Sequence, residues 1–211
     1  MFSPNSLKKY YFFFLLFFTI NNIKAQFSIN NPIYFTSELT AGNYLGVDIH
    51  FNYLLNEEYS FKMGYSGHLR EPKSAPYNYS PGFFGILSFG LKNPFDKLGN
   101  YHVMAGRIYN LNKKGTIRAN ISLGLGLAVI KEPTNWQILE RGLLYQNYTF
   151  DYNKYYTLGL ILNPKIEFPF TKYFGLTLSP MLQINKDRTY IGIGIGHMIG
   201  PLRREAPEED L

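Results

Sequence analysis

The most regular stretch of the chain runs from Thr116 to Val129, where apolar residues alternate with polar or small ones. Its apolar positions are Ile117, Ala119, Ile121, Leu123, Leu125, Leu127 and Val129. A repeat of two residues is that of a β-strand, whose side chains point alternately to opposite faces. With fourteen residues, the stretch is longer than the strands of about 5–6 residues usual in soluble sheets, and it is long enough to cross a bilayer at a tilt.

Weaker versions of the same alternation recur along the chain and predict eight further strands. These are Ile33–Ala41, Tyr44–Leu55, Tyr59–Leu69, Gly82–Leu91, Tyr101–Leu111, Lys154–Phe168, Phe174–Asn185 and Tyr190–Ile199. Segments rich in Asn, Gly and Pro separate most of the strands and predict turns. The longest loop is predicted from Lys131 to Tyr152, and no segment has the pattern of an amphipathic helix.

Three properties of these strands favour a barrel that crosses a membrane over a soluble sandwich. The strands are long, their apolar faces consist mainly of Leu, Ile and Phe, and their other faces carry charges that a packed soluble core would not hold. In lipid every backbone polar group needs a partner, so a spanning sheet must close on itself. We therefore predict an all-β fold, an antiparallel transmembrane β-barrel of eight strands, with ten strands as the alternative.

The strand count leaves one candidate too many, because single-chain bacterial barrels have an even number of strands. If the last strand runs towards the periplasm, the short turns at Asn112–Gly115 and Pro169–Tyr173 lie on the periplasmic side, and the longest loop lies outside the cell. This assignment makes Ile33–Ala41 the surplus strand, either as a lead-in to the barrel or because another strand assignment is wrong.

Six charged or titratable residues are predicted to line the lumen. They are Asp48, His50, Lys62, Arg118, Lys165 and Glu167. Because a buried charge needs a partner, we expect these side chains to form a mutually paired network, with a polar constriction or ligand site as the alternative. The inward-facing Gly192, Gly194 and Gly196 leave room for large side chains from other strands. The interior of an eight-stranded barrel is filled by side chains, so we expect a poor general pore.

The N-terminal segment has the pattern of a secretory signal peptide. Lys8 and Lys9 precede an apolar run from Tyr10 to Ile20, and a small residue, Ala25, marks the predicted cleavage site. An uncleaved anchor is the alternative, but the run is short for a spanning helix, which needs about 20 residues. We therefore divide the chain into a signal peptide (1–25), the barrel (26–199) and a charged tail predicted to be disordered (200–211).

Composition narrows the possible chemistry. The absence of Cys excludes disulfides, thiolate metal sites and a lipoprotein anchor. None of the four histidines has a second His or a carboxylate at metal-ligand spacing, so we predict no metal and no cofactor. They are His50, His68, His102 and His197. The predicted mature chain has 18 basic and 15 acidic residues, which is too balanced a charge for binding to nucleic acid.

The stretch from Ser80 to Gly200 resembles the small outer-membrane β-barrels of Bacteroidota. The resemblance is carried by Leu98-Gly99-Asn100, by Ile121–Leu127 with the following Lys131-Glu132-Pro133, and by the final Gly-x-Gly strand. The chain is also distantly similar to the lipid A 3-O-deacylase barrels, which have a His-x-Ser-Asn motif near the end of the penultimate strand. Here the corresponding residues are Leu182-Gln183-Ile184-Asn185, so only the Asn matches.

Together these observations predict an exported outer-membrane barrel without catalysis, which acts as a structural, adhesive or ligand-binding surface protein. The expected partners are outer-membrane lipid and the barrel-assembly machinery, whereas a soluble ligand is not identified. One alternative is an acyl hydrolase of lipid A or phospholipid, since a Ser-His-acid set is recognised by geometry and not by spacing. A second is a soluble periplasmic β-barrel that binds a small apolar ligand and packs the Leu, Ile and Phe faces as its core.

Overall fold

The computed structural model describes residues 31–88, 93–113, 115–139 and 144–202. The predicted signal peptide, and residues 203–211 of the predicted tail, lie outside this part of the chain. Among the described residues there is no helix that is both long enough and apolar enough to pass through a bilayer.

The described residues form eight antiparallel strands and one short helix. The strands are β1 (Ile33–Gly42), β2 (Leu45–Leu55), β3 (Tyr59–Arg70), β4 (Asp96–Asn110), β5 (Arg118–Ile138), β6 (Tyr148–Phe168), β7 (Phe174–Asn185) and β8 (Thr189–Ile199), and helix α1 is Gly82–Leu87. The strands follow one another in chain order, and β1 pairs with β8 to close the barrel. The predicted eight-stranded antiparallel barrel is therefore confirmed, and the ten-stranded alternative is wrong.

The connections divide between the two ends of the barrel. The terminal end holds both ends of the barrel chain, Ile33 and Ile199, and the turns at 56–58, 111–117 and 169–173. The loop end holds the turns at 43–44 and 186–188, the long loop 71–95 with α1, and the connection 139–147. The two turns predicted to share a side, Asn112–Gly115 and Pro169–Tyr173, do lie at the same end.

The surplus strand is not Ile33–Ala41, and the alternative, an error in another strand assignment, is correct. The segment Ile33–Ala41 is a full member of the barrel and pairs with both β2 and β8. The wrong strand was Gly82–Leu91, where residues 82–87 form helix α1 and residues 89–91 lie outside the described part. A short apolar run is compatible with either element. In α1, Gly82 and Gly85 lie three residues apart and are both buried, as the period of a helix requires.

The predicted loop from Lys131 to Tyr152 is instead mostly a β-hairpin. Strand β5 continues to Ile138 and β6 begins at Tyr148, and beyond Lys131 the two strands pair only with each other. A register shift between Thr134 and Gln137 interrupts this pairing, where Asn135 adopts a left-handed conformation with φ 55°. The hairpin therefore projects beyond the barrel wall at the loop end.

The outside of the barrel is an apolar band. On β5, for example, the outward residues Leu123 and Leu125 are 59% and 61% exposed. On β4 the band is bounded by Arg107 towards the terminal end and by Lys97 towards the loop end, ten residues apart. At a rise of about 3.3 Å per residue and a tilt of about 40°, this stretch is about 25 Å high.

Basic side chains lie over tyrosine rings at both edges of the apolar band. At the terminal edge the Arg107 guanidinium lies 5.8 Å from the ring centroid of Tyr59 and 5.6 Å from that of Tyr109. Phe168 and Phe170 stack at the same end with their centroids 6.3 Å apart. At the loop edge Lys97 lies 5.3 Å from the ring of Tyr152.

Inside the barrel, two clusters of buried apolar residues share the lumen with polar side chains. The cluster at the terminal end consists of Tyr34, Leu54, Ile108, Met198 and Leu202. The cluster towards the loop end consists of Tyr44, Leu98, Met104, Ala128, Ile130, Ile161, Met181 and Tyr190. Leu202 belongs to the predicted tail, but its backbone N–H donates to the carbonyl of Lys172 and its side chain is 1% exposed. The lumen is thus filled by side chains.

Candidate functional site

All six residues predicted to line the lumen lie inside the barrel. Their exposed fractions lie between 0% and 5%. They are Asp48 and His50 on β2, Lys62 on β3, Arg118 on β5, and Lys165 and Glu167 on β6. The structure adds Glu38, His68 and His102, which are equally buried. The sequence prediction omits Glu38 because it treats Ile33–Ala41 as the surplus strand. It also omits His68 and His102, although the alternation around these two residues places them inside.

Arg118 and Glu167 form the polar layer next to the terminal end. They are register partners on β5 and β6, and Arg118 Nε donates to Glu167 Oε2 at 2.6 Å. The other carboxylate oxygen accepts from Tyr34 Oη at 2.8 Å and from Asn120 Nδ2 at 2.9 Å. The guanidinium also donates to the carbonyl of Leu202 at 2.8 Å. This network ties the chain after β8 to the inside of the barrel wall.

A second ion pair crosses the middle of the lumen. Lys165 Nζ lies 2.7 Å from Glu38 Oε1, and both side chains are fully buried. Thr177 Oγ1 donates to the same carboxylate oxygen at 2.8 Å, and Lys165 Nζ donates to Thr36 Oγ1 at 3.3 Å. The charges are therefore neutralised by each other and by neutral hydrogen-bonding groups.

Lys62 departs from the expected pairing of charge with charge. Its Nζ donates to the amide oxygen of Asn163 at 3.2 Å, and the Asn163 amide donates to Ser179 Oγ at 2.7 Å. These bonds link β3, β6 and β7 through the lumen. The structure thus brings Arg118 together with Glu167, and it places Lys62 against an amide.

Asp48 and the histidines form the layer towards the loop end. Asp48 Oδ1 lies 3.4 Å from His68 Nε2, and the ring of Tyr190 stacks on the His68 ring with centroids 3.9 Å apart. His50 and His102 face each other with ring centroids 5.0 Å apart. Among the described residues, no group of three or more His, Asp or Glu side chains has the geometry of a metal site. The Asp48–His68 pair is buried inside the barrel, and the His68 ring stacks on Tyr190. The pair is therefore inaccessible to a lipid ester.

Asn185, the one residue that matches the deacylase motif, has a local structural contact. Its side-chain oxygen accepts the backbone N–H groups of Asp187 and Arg188 at 2.9 Å and 2.7 Å. These bonds close the turn between β7 and β8. Gln183, where the motif has its variable position, points into the lumen and donates to Ser66 Oγ at 3.0 Å.

At the loop end, residues 71–88 pack on the projecting hairpin around Trp136. The ring centroids of Tyr79, Tyr148 and Phe150 lie 5.5 Å, 6.2 Å and 5.1 Å from that of Trp136, and its Nε1 donates to Ser74 Oγ at 3.3 Å. Aromatic clusters of this kind contribute both apolar burial and edge-to-face attraction. The two connections therefore form one packed unit, which we call the loop platform.

Asn147 holds the two parts of the loop platform together. Its side-chain oxygen accepts the backbone N–H of Ser80 at 2.7 Å, and its side-chain amide donates to the carbonyl of Asn78 at 2.8 Å. Its own backbone N–H donates to the carbonyl of Ser80 at 3.2 Å. These bonds join backbone groups of Asn78 and Ser80 to the residue that precedes β6.

The loop platform contains a cavity of about 390 Å³ without a charged residue in its lining. It is lined by Tyr79, Pro81, Phe84, Gly85, Asn93, Tyr145 and Gln146. Burial, followed by the neighbouring Tyr152, raises the pKa of the Tyr79 hydroxyl, so this group is neutral at physiological pH. Aromatic walls with a few amide groups are typical of pockets for small uncharged ligands.

A charged cleft of about 420 Å³ lies at the mouth of the barrel beside the loop platform. Arg70 donates to Asp96 at 2.9 Å and 3.0 Å, and Arg188 pairs with Glu132. Burial lowers the pKa of Arg188, but the interactions with Tyr155 and Glu132 raise it by a larger amount. The net shift of the pKa is upward, so the guanidinium stays charged. The mouth cleft thus satisfies most of its charges internally.

Comparison with known proteins gives no family assignment. No family model matches the chain, and no curated protein matches it. Three solved structures illustrate what it is similar to. The attachment invasion locus protein Ail of Yersinia pestis is 12% identical with a TM-score of 0.47, over 81% of this chain and 96% of that one. The N-terminal barrel domain of Pseudomonas aeruginosa OprF is 12% identical with a TM-score of 0.48, over 81% and 98%. Neisserial surface protein A is 12% identical with a TM-score of 0.47, over 82% and 97%.

Proposed function

We propose that this protein is an outer-membrane β-barrel that holds the loop platform outside the cell as a ligand-binding surface and has no catalytic role. The observation that carries the proposal is that apolar side chains lie outside the barrel and charged ones inside, the opposite of a soluble protein. The outer wall is an apolar band about 25 Å high, which is the height of the lipid-facing band on membrane barrels. The interior holds the ionised side chains, including Arg118, Glu167, Lys165 and Glu38.

The exposed apolar area argues against the soluble alternative. A soluble barrel with an apolar ligand would pack its Leu, Ile and Phe faces inwards, but these residues lie on the outside and many are more than half exposed. Examples are Leu39, Phe51, Leu125, Leu158 and Ile195. Soluble monomers rarely expose apolar patches beyond a few hundred Å². Lipid is the partner that covers such a wall, and insertion would require the barrel-assembly machinery.

The lengths of the connections support one orientation in the membrane. Outer-membrane barrels have short periplasmic turns and longer extracellular loops. The terminal end has only short turns, whereas the loop end carries loop 71–95 and the projecting hairpin. We therefore place the terminal end in the periplasm and the loop platform outside the cell, as export by an N-terminal signal peptide would require.

The filled lumen supports a scaffold and not a pore. The ion pairs Arg118–Glu167 and Lys165–Glu38 and the two apolar clusters occupy the interior. Eight-stranded barrels in general have interiors just wide enough for side chains. Because binding residues concentrate on loops held by a rigid scaffold, the function is placed at the loop platform and its uncharged cavity.

Single cysteines can test this orientation because the natural chain contains no Cys. Tyr77 lies on the loop platform and is fully exposed, and Lys113 lies exposed in a turn at the terminal end. A membrane-impermeant maleimide added to intact cells should label the Tyr77→Cys variant and should label Lys113→Cys only after the outer membrane is broken. Equal labelling of both variants in intact cells, or labelling of Lys113→Cys alone, would contradict the proposed orientation.

A further inference from the structure

Three lysines form a continuous row at the loop edge of the apolar band. Lys97 on β4 is the register partner of Lys131 on β5, and Lys131 is the register partner of Lys154 on β6. All three side chains are exposed on the outer wall. Residues directly opposite each other on antiparallel strands have Cβ atoms about 4.5–5.5 Å apart. The lysine row therefore places three positive charges side by side over neighbouring strands.

The lysine row has no acidic neighbour on its own face along β4, β5 and β6. Its outward neighbours along the strands are uncharged, and they include Gly99, Val129, Pro133, Tyr152 and Tyr156. Within the described chain, no ion pair joins any of the three lysines to a carboxylate.

The acidic residues closest in sequence to the row point away from it. Asp96 and Glu132 alternate to the opposite face, where they pair with Arg70 and Arg188 in the mouth cleft. Like charges opposite each other in a sheet destabilise it, so an anion bound from outside the chain would offset the repulsion within the row.

The position of the row selects the kind of anion. It lies where the apolar band ends, so a molecule that meets the row also meets the Leu and Ile side chains beneath it. The lysines at the two ends of the row lie close to tyrosine rings. Lys97 Nζ is 5.3 Å from the Tyr152 ring centroid, and Lys154 Nζ is 5.0 Å from the Tyr156 ring centroid. Long basic side chains beside aromatic rings are typical of the level of lipid headgroups.

We propose that the lysine row binds the phosphate groups of an anionic lipid in the leaflet that faces the loop end, while the acyl chains of that lipid lie on the apolar band. This inference rests on the proposed membrane location and names the lipid chemistry that the barrel would select there. Lys131 is the centre of the site because it has a lysine on either side, and a lipid with two phosphates would span more of the row than a lipid with one.

The test measures the thermal stability of the folded barrel in phosphatidylcholine nanodiscs of defined composition. The discs contain phosphatidylcholine alone, or equal small fractions of bisphosphorylated, monophosphorylated or fully dephosphorylated lipid A. Bisphosphorylated lipid A should raise the unfolding midpoint, monophosphorylated lipid A should raise it less, and the dephosphorylated lipid should have no effect, because a ligand of the native state stabilises it. Inorganic phosphate added to discs without lipid A separates a lipid site from a free-anion site.

Two triple variants with the same change in charge provide the comparison. The row variant is Lys97→Gln, Lys131→Gln and Lys154→Gln, and the control is Lys73→Gln, Lys113→Gln and Lys186→Gln, whose side chains lie away from the row. The row variant should lose the stabilisation by lipid A and the control should keep it. Equal stabilisation of both variants, or the same upward shift with inorganic phosphate alone, would overturn the proposal. Insertion into nanodiscs is carried out with purified protein, so such a result would leave the cysteine test of location unaffected.

Discussion

The ammonium group of Lys165 lies 2.7 Å from a carboxylate oxygen of Glu38 in the middle of the lumen. The two residues belong to β6 and β1, which are not neighbours in the barrel. The ion pair therefore joins separate parts of the wall across the interior. Because β1 also closes the barrel against β8, this contact fixes the closing strand from inside the lumen.

Removal of one partner of this pair should destabilise the barrel strongly. In Glu38→Gln the ammonium of Lys165 loses its counter-charge, and in Lys165→Met the carboxylate does, so each variant should lose about 3–5 kcal/mol of unfolding free energy. The double variant should be much closer to the parent, since it buries neither charge. Urea unfolding of the refolded barrel gives the four values of the double-mutant cycle.

The exposed ion pair of Arg107 and Glu58 at the terminal end is the matched control. Glu58→Gln should cost less than about 1 kcal/mol, because water screens exposed charges. If Glu38→Gln costs no more than Glu58→Gln, or if the two lumen substitutions simply add, the ion pair does not stabilise the barrel as described.

Arginine substitutions on the outer wall should have a cost that depends on depth. Leu125 lies midway between the edges of the band, with Val103 and Leu160 as register partners, whereas Ile121 lies beside Arg107 at the terminal edge. In a bilayer Leu125→Arg should cost about 2–4 kcal/mol and Ile121→Arg about 0–1 kcal/mol. Unfolding in phospholipid vesicles measures both, and equal costs would show that the band does not span the hydrocarbon layer.

Two glycines of β8 should differ sharply in their tolerance of a methyl group. A Cβ at Gly196 would overlap the backbone oxygen of Ser37 and lie 2.6 Å from the Cα of Glu38, whereas a Cβ at Gly194 would come no closer than 3.1 Å, to the methyl of Thr40. Gly196→Ala should therefore cost about 1–3 kcal/mol or more through overpacking, and Gly194→Ala less than about 1 kcal/mol. Unfolding midpoints of the two variants that do not differ would contradict this packing.

The strands of the barrel could be predicted because successive residues of each strand alternate between two environments. Lipid-facing side chains lie outside and polar ones lie inside. That pattern identifies β2, β5 and β7 directly. It failed at Gly82–Leu87, where six residues are too few to separate a helix from a strand. It also failed beyond Lys131, because the hairpin leaves the barrel wall there and no longer has one face in the lumen and the other outside.

The inward direction of the lumen charges followed from the alternation, but their partners did not. Lys165 pairs with Glu38 and Lys62 with Asn163 because of the stagger of the strands around the barrel, and sequence spacing does not contain that stagger. The uncharged cavity was missed for a related reason. Its residues come from loop 71–95, where the alternation predicts a strand at Gly82–Leu91, and from the connection after β5, so the sequence pattern does not bring them together.

The most direct test of the central claim is the mobility of the protein on an SDS gel, with and without boiling, after separation of the outer membrane from the periplasm. A closed barrel in lipid should be found in the outer-membrane fraction and should run faster before boiling than after it, since its hydrogen-bonded wall has no open edge for SDS to unfold. Soluble protein in the periplasmic fraction, with one mobility under both conditions, would contradict the account.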